Sequence, residues 1–235
     1  MSTPTAGRKH LVLLGATGMV GGYALRYALE HPAVERVTAI NRRTLGISHP
    51  KLNEILHINF ADFSALAESL SHQNAAIFCL GTYTGAVSDA ELRTISVDYT
   101  VEFARVLFTT SPSVDFVFLS GQGADPTGKS RIAFARYKGE AESALLAAGF
   151  HAVYIFRPAY IYPVKPRKEP NLGYRLLRAI YPLFRIIFPS QVIRADDLAR
   201  VMVDIAVQGT KEPRASVFEN NDIRAMVEWR QHLSE

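Results

Sequence analysis

Gly15-Ala16-Thr17-Gly18-Met19-Val20-Gly21 sets three glycines at three-residue intervals behind the apolar run Lys9 to Leu14. The segment Gly18 to Leu29 then carries Val20, Ala24, Tyr27 and Ala28 at helical spacing. A strand that breaks into such a loop and re-emerges as a helix is tightly constrained. One glycine permits the turn off the strand, one lets the backbone approach a pyrophosphate, and one lets the helix pack closely on the sheet. The free N–H groups of the first helical turn attract the anion. Glycines at this spacing also make ordinary tight turns. Their place between the first strand and the first helix favours a dinucleotide phosphate loop, in which Thr17 adds a hydroxyl and Met19 and Val20 lead into the helix.

Further strands are expected at Arg36 to Ile40, Ile55 to Phe60, Ala75 to Leu80, Val114 to Leu119 and His151 to Phe156, all short runs rich in β-branched or aromatic residues. Asp89 to Phe108 repeats Leu92, Ile95, Tyr99, Phe103, Val106 and Leu107 along one helical face, and Lys129 to Ala148 repeats more weakly. Asp196 to Val207 reads as a helix, Ser216 to Glu219 as a strand and Asn221 to Leu233 as a closing helix, with Trp229 in the core. Strands alternating with helices predict an α/β fold, a doubly wound parallel sheet of the Rossmann type. No repeat, low-complexity run or Gly/Ser linker divides the chain, so a single domain over 1–235 is expected, with 163–194 as a variable insertion.

Composition excludes several classes. The chain has 235 residues, 48% of them apolar, enough to bury roughly 70% of the unfolded surface without staples. One cysteine, Cys79, cannot form a disulfide framework, and no two of the seven histidines sit at a metal-ligand spacing, so no metal is expected. There is no apolar leader and no run approaching about 18 apolar residues, from which a cytoplasmic home and no transmembrane segment are expected. Lys and Arg outnumber Asp and Glu by 26 to 22, a formal charge of +4 that is too diffuse to indicate nucleic acid.

The second strand bears on which nucleotide binds. A site for NAD usually ends this strand on Asp or Glu, which holds the adenosine ribose. Here the strand ends on Asn41-Arg42-Arg43. Two guanidiniums suit a 2′-phosphate through bidentate, charge-assisted hydrogen bonds, so the expected cofactor is NADP(H).

Several further segments complete a pattern: Asp62-Phe63, Cys79-Leu80-Gly81-Thr82, Leu119-Ser120-Gly121-Gln122-Gly123-Ala124-Asp125, Lys138-Gly139-Glu140 and Phe156-Arg157-Pro158-Ala159. With the glycine loop and Asn41-Arg42-Arg43, they give a chain that resembles the short-chain dehydrogenase/reductase superfamily. The resemblance is to its atypical branch, and within that to the Tat-interacting-protein-like oxidoreductases. It implies that Asp62 and Phe63 flank the adenine, that Leu80, Gly81 and Thr82 line the cofactor, and that Pro158 and Ala159 sit near the nicotinamide amide. Read from the residues alone, Asp62 is equally an N-cap for a helix over Ser64 to Leu70.

Reductases of that superfamily pair Tyr-x-x-x-Lys on one helix with a serine at the end of the fifth strand. The resemblance makes Lys138 the lysine, which binds the nicotinamide ribose. Four residues earlier stands Phe134, whose phenyl ring has no proton to give. Relatives commonly read Ser-Ser where this chain has Ser120-Gly121, leaving Ser120 as the only candidate hydroxyl. Tyr137 does not replace the missing phenol, because adjacent helical residues point about 100° apart. The expectation is an NADP(H)-binding protein without the standard relay, acting as a nucleotide-binding regulator, a redox sensor or a weak reductase. The alternative is an active oxidoreductase or epimerase-like enzyme on a small carbonyl or nucleotide-sugar-like substrate.

Lys165, Arg167, Lys168, Arg175, Arg178, Arg185 and Arg194 are set among Leu, Ile, Tyr and Phe, which concentrates positive charge between Pro163 and Arg194. The resemblance makes this segment the wall over the nicotinamide. A second reading is a basic amphipathic stretch over 174–188 on an anionic membrane surface, and a third is a partner-binding surface. Expected partners are a small-molecule substrate or the nucleotide itself, and no nucleic acid.

Overall fold

The computed structural model describes residues 8–82, 85–164, 191–210 and 215–232. In chain order the elements are β1 (Lys9–Leu14), α1 (Met19–Glu30), β2 (Val34–Asn41), β3 (Leu52–Leu56), β4 (Ala75–Phe78), α2 (Asp89–Arg93), α3 (Tyr99–Thr110), β5 (Asp115–Leu119) and α4 (Ala133–Ala147). There follow β6 (Ala152–Arg157), β7 (Tyr160–Tyr162), β8 (Val192–Arg194), α5 (Ala195–Gln208), β9 (Ala215–Glu219) and α6 (Asn220–His232). A short π-helical turn, Thr94–Asp98, joins α2 to α3, so the helix expected from Asp89 runs on with one register change.

Seven strands form one sheet in the order β3-β2-β1-β4-β5-β6-β9, and each neighbouring pair is parallel. Strand order reverses between β1 and β4, which leaves a crevice beyond their carboxyl ends. The central strands are buried on both faces and read as near-continuous apolar runs. Leu11, Leu13, Ile77, Val117 and Phe156 meet α1 and α5 on one side. Val12, Leu14, Phe78, Phe116, Phe118 and Ile155 meet α3 and α4 on the other.

Three local expectations change. The third strand occupies Leu52–Leu56 rather than Ile55 to Phe60. It closes where His57 N–H donates to the Asn41 carbonyl at 2.8 Å, after which Phe60 turns in to stack on His57, pack at a tilt on Phe63 and meet Tyr99 edge-on. Phe60 carries strand propensity, but its burial in an aromatic cluster outweighs it. The helix expected over Ser64 to Leu70 is only a 3₁₀ turn, Ser64–Leu66. Trp229 is 67% exposed on α6 rather than in the core, because its face of that helix has nothing against it among the described residues. The insertion lies mostly outside the described residues, including all its basic residues except Arg194 and the whole of 174–188. Arg194 is paired with Asp196 at 2.8 Å and Asp197 at 3.4 Å. No helix among the described residues is long and apolar enough to cross a membrane.

Candidate functional site

The glycine loop forms a cradle that no side chain would leave open. Gly15 leaves β1 at φ +86°, and a Cβ there would stand 2.7 Å from the Cys79 carbonyl. Gly21 is tighter, with a Cβ only 2.2 Å from the Gly15 oxygen. Gly18 N–H closes the turn onto the same oxygen at 2.8 Å. The close approach of α1 to the turn off β1 explains the glycine spacing, and it leaves the start of α1 facing the crevice as an anion site.

Asn41 ends β2 one position beyond the Leu14–Ile40 pair, level with the start of the loop. It is 3% exposed, and neither its amide oxygen nor its amide nitrogen has a hydrogen-bond partner. A buried amide unsatisfied at both ends is rare in a native protein and fits a ligand edge supplied from outside. These two observations, the cradle and the orphaned amide, show that the residues present suit a dinucleotide. Arg42 and Arg43 follow, both exposed. The Arg42 guanidinium lies 5.8 Å from the Phe60 ring centroid. Asp62 is exposed, and its carboxylate accepts from Ser64 N–H at 2.8 Å and from the Ser64 hydroxyl. These hydrogen bonds hold its pKa below the usual carboxylate value. Phe63 has no exposed surface: its ring packs on Phe60 and Phe103, its N–H donates to Glu102 at 3.3 Å and its carbonyl accepts from Leu66 N–H at 2.9 Å, so the structure does not present it to an adenine as the resemblance implied.

A cleft of about 510 Å³ opens beyond the strand ends. Gly18, Met19, Val20, Leu80, Gly81 and Thr82 form its near side. Ser120, Lys138, Pro158 and Ala159 line the far side. The structure therefore brings most of the residues singled out from sequence around one space. Gln122, Phe134, Tyr160 and Ile161 also line the cleft. Tyr160 and Ile161 were missed because the short β7 strand that carries them has no strong pattern of its own.

Lys138 is 5% exposed. Its ammonium donates to the Leu119 carbonyl at 2.9 Å and sits 4.6 Å from the Phe118 ring centroid. Burial lowers its pKa to about 8, against an opposing pull from Glu142. The Ser120 hydroxyl donates to the Glu142 carboxylate, which also receives Arg157 Nη2–H at 2.5 Å and Nε–H at 3.0 Å. Arg157 reaches on to Glu219 at 2.9 Å. Glu142 is 2% exposed, one helical turn past Lys138, and sequence spacing gave no sign that it anchors this group. Pairing with it pushes the Arg157 pKa further up.

Gly121 packs against Phe134 so closely that a Cβ at 121 would lie 2.8 Å from the ring Cζ. Tyr137 points elsewhere, its hydroxyl donating to Asp89 at 2.7 Å, and that bond raises its pKa. The Cys79 thiol is pushed up to about 12 by burial. Among the described residues no cluster of His, Cys, Asp or Glu could hold a metal.

Comparison with known proteins bears on this geometry. A model of the NAD dependent epimerase/dehydratase family matches residues 11–133. Protein fmp52, mitochondrial, from Emericella nidulans is 32% identical over 167 residues, covering 68% of this chain and 70% of that protein. Protein FMP52, mitochondrial, from Saccharomyces cerevisiae is 24% identical over 220 residues, covering 90% of this chain and 94% of that one. The crystal structure of the Bordetella bronchiseptica enzyme WbmG in complex with NAD superposes with a TM-score of 0.65 at 13% identity, over 97% of this chain and 80% of that one, a likeness of fold. The mitochondrial names overturn the cytoplasmic expectation. That expectation rested on the lack of an apolar leader, whereas mitochondrial targeting segments are amphipathic and Arg-rich. The family match spans the phosphate loop and more than half of the chain, and it bears out the resemblance read from the sequence: the chain belongs to the NAD dependent epimerase/dehydratase family, within the short-chain dehydrogenase/reductase superfamily.

Proposed function

We propose that the protein binds NADP(H) in this cleft and works without the Ser-Tyr-Lys relay, as a nucleotide-binding regulator that reads the cofactor's redox state or as a weak reductase. The observation that carries this reading is the contact between Gly121 and Phe134, where a Cβ would come within 2.8 Å of the ring. An apolar contact occupies the place where two hydroxyls would pass a proton, while the cradle beside it is intact. Ser120 does not make good the deficit, since its hydroxyl is engaged by buried Glu142. Lys138 remains to hold the ribose. The Asn41-Arg42-Arg43 strand end, with no carboxylate, supports the phosphorylated cofactor. A bound nicotinamide would supply or accept hydride; the chain's own residues bind and orient it.

A second reading is an oxidoreductase or epimerase-like enzyme on a small carbonyl or nucleotide-sugar-like substrate. It is favoured by Lys138, whose pKa near 8 suits proton transfer around neutral pH. Titration with NADPH, NADP+ and NADH, followed by NADPH consumption across a panel of carbonyls, separates the two. Binding that discriminates oxidised from reduced cofactor, without turnover, supports the regulator, and steady consumption with one substrate class supports the enzyme. From the names of the relatives we also infer a mitochondrial location, which a fluorescent fusion tests directly.

A further inference from the structure

Just beyond β5 the chain makes a four-residue turn. Ala124 N–H donates to the Gly121 carbonyl at 3.2 Å, and Gly123 takes the positive φ, +82°, that a type II turn needs at its third residue. Gln122 stands at the corner. Its own N–H donates to the Pro158 carbonyl at 2.9 Å, so the backbone that carries it is tied to the end of β6. Its side chain is not tied. Gln122 is exposed and lines the cleft, and its amide has no hydrogen-bond partner among the described residues. Two polar neighbours in the same wall are committed, the Ser120 hydroxyl to Glu142 and the Lys138 ammonium to the Leu119 carbonyl.

The surroundings of this corner are apolar. Leu80, Leu119, Phe134, Ile161 and Pro163 line the same space, and the described lining residues include no carboxylate, histidine or arginine. The one cation among them, Lys138, is 5% exposed and lies against the Phe118 ring. A diphosphate placed here would shed its water and meet no free cation. A carbonyl compound with an apolar body meets what it needs: the Gln122 amide donates to its oxygen, and Phe134 and Ile161 cover its body. We propose that the far side of the cleft is a subsite for a small, uncharged carbonyl compound, that Gln122 is the specificity-determining residue holding its oxygen, and that nucleotide sugars are excluded. An amide does not ionise near neutral pH, so Gln122 orients the ligand without replacing the missing phenol. The proposal rests on the NADP(H) reading above and names the second ligand of the same cleft.

Saturation-transfer NMR titrations test this on protein with NADP+, which has no hydride to give, and again without nucleotide. The probes are acetophenone, ethylbenzene, which keeps the apolar body and lacks the oxygen, and UDP-glucose. Wild type, Gln122→Leu and Gln122→Glu are compared, and NADPH affinity is measured on each as a check that the cradle is intact. Both substitutions leave the backbone bonds of the turn in place. Wild type is expected to prefer acetophenone to ethylbenzene and to ignore UDP-glucose. Each variant should weaken acetophenone by about tenfold with NADPH affinity unchanged, and Gln122→Leu should erase the preference over ethylbenzene. Gln122→Glu keeps the shape, but its carboxylate only accepts. Acetophenone binding that is absent in wild type, or unchanged in Gln122→Leu, overturns the subsite, and NADPH binding in the same samples leaves the cofactor reading standing. UDP-glucose binding more tightly than acetophenone overturns the ligand class. Gln122-dependent acetophenone binding by protein that takes up neither NADP+ nor NADPH upholds the subsite and overturns the cofactor reading.

Discussion

The edge of the Phe134 ring fills the space that a side chain at position 121 would need, with its Cζ 2.8 Å from the ideal Cβ position. Gly121 and Phe134 are thus one packing unit. Gly121→Ser alone should destabilise the fold by about 1–3 kcal/mol, as overpacking does. Combined with Phe134→Ala the penalty should shrink, a coupling readable from urea midpoints of the double-mutant cycle. It follows that Phe134→Tyr with Gly121→Ser crowds the same volume and will not restore a working pair of hydroxyls without movement of the helix. Rapid carbonyl reduction by that double variant would contradict this.

Removing Arg157 from its pair with Glu142 leaves the Glu142 charge buried. Arg157→Leu should cost about 3–5 kcal/mol, since Glu142 is 2% exposed and accepts both guanidinium contacts. Glu142→Gln should cost less, because Ser120 and Arg157 retain hydrogen-bond partners. Equal losses in chemical denaturation would argue against a buried ion pair at the end of β6.

Lys138 makes stability depend on pH in a specific window. Its folded pKa is lowered to about 8 by burial, whereas the unfolded side chain titrates near its ordinary value of about 10.4. Between these values the unfolded chain binds more protons, so this group's contribution to stability rises with pH from about 8 to 10.4 and is flat below. Its size is about 3 kcal/mol at full extent. Comparing wild type with Lys138→Met at pH 7.5, 9 and 10 isolates it, and parallel curves would show that the ammonium is not desolvated.

Cys79 should resist thiol reagents while the protein is folded. With its pKa pushed up to about 12, the thiolate is scarce at pH 8, so labelling should be far slower in native than in urea-unfolded protein. Labelling at the unfolded rate would mean that the end of β4 opens readily.

Gly21→Ala should abolish nucleotide binding as well as weaken the fold. Its Cβ would stand 2.2 Å from the Gly15 oxygen, so the loop must move away from its position in the cradle. Unchanged NADPH affinity would show that the loop is not the phosphate cradle.

Much of the fold was legible because its signals are local. The glycine loop, the apolar runs of β1, β4, β5 and β6, and the helical face from Leu92 to Leu107 each reveal themselves within a few residues. The third strand was misplaced because Phe60 satisfies a strand pattern yet packs in a ring cluster drawn from three segments. Trp229 followed the rule that large aromatics are buried, and no described element covers its face. The interlock of Gly121 with Phe134 and the reach of Arg157 to Glu142 both join residues from different elements. No spacing along the chain encodes such meetings.

The far wall of the cleft depends on residues made late. Ala159 N–H donates to the side chain of buried Asn220 at 2.9 Å, β6 pairs with β9, and Arg157 reaches Glu219. During synthesis, a chain that has completed β6 already carries the phosphate loop and the strands around it, and Gln122 N–H holds the Pro158 carbonyl at 2.9 Å, but Ala159 still lacks its Asn220 partner. The far wall therefore sets last: a chain stopped short of Asn220 has the phosphate loop and the central strands but not the contact that fixes Ala159.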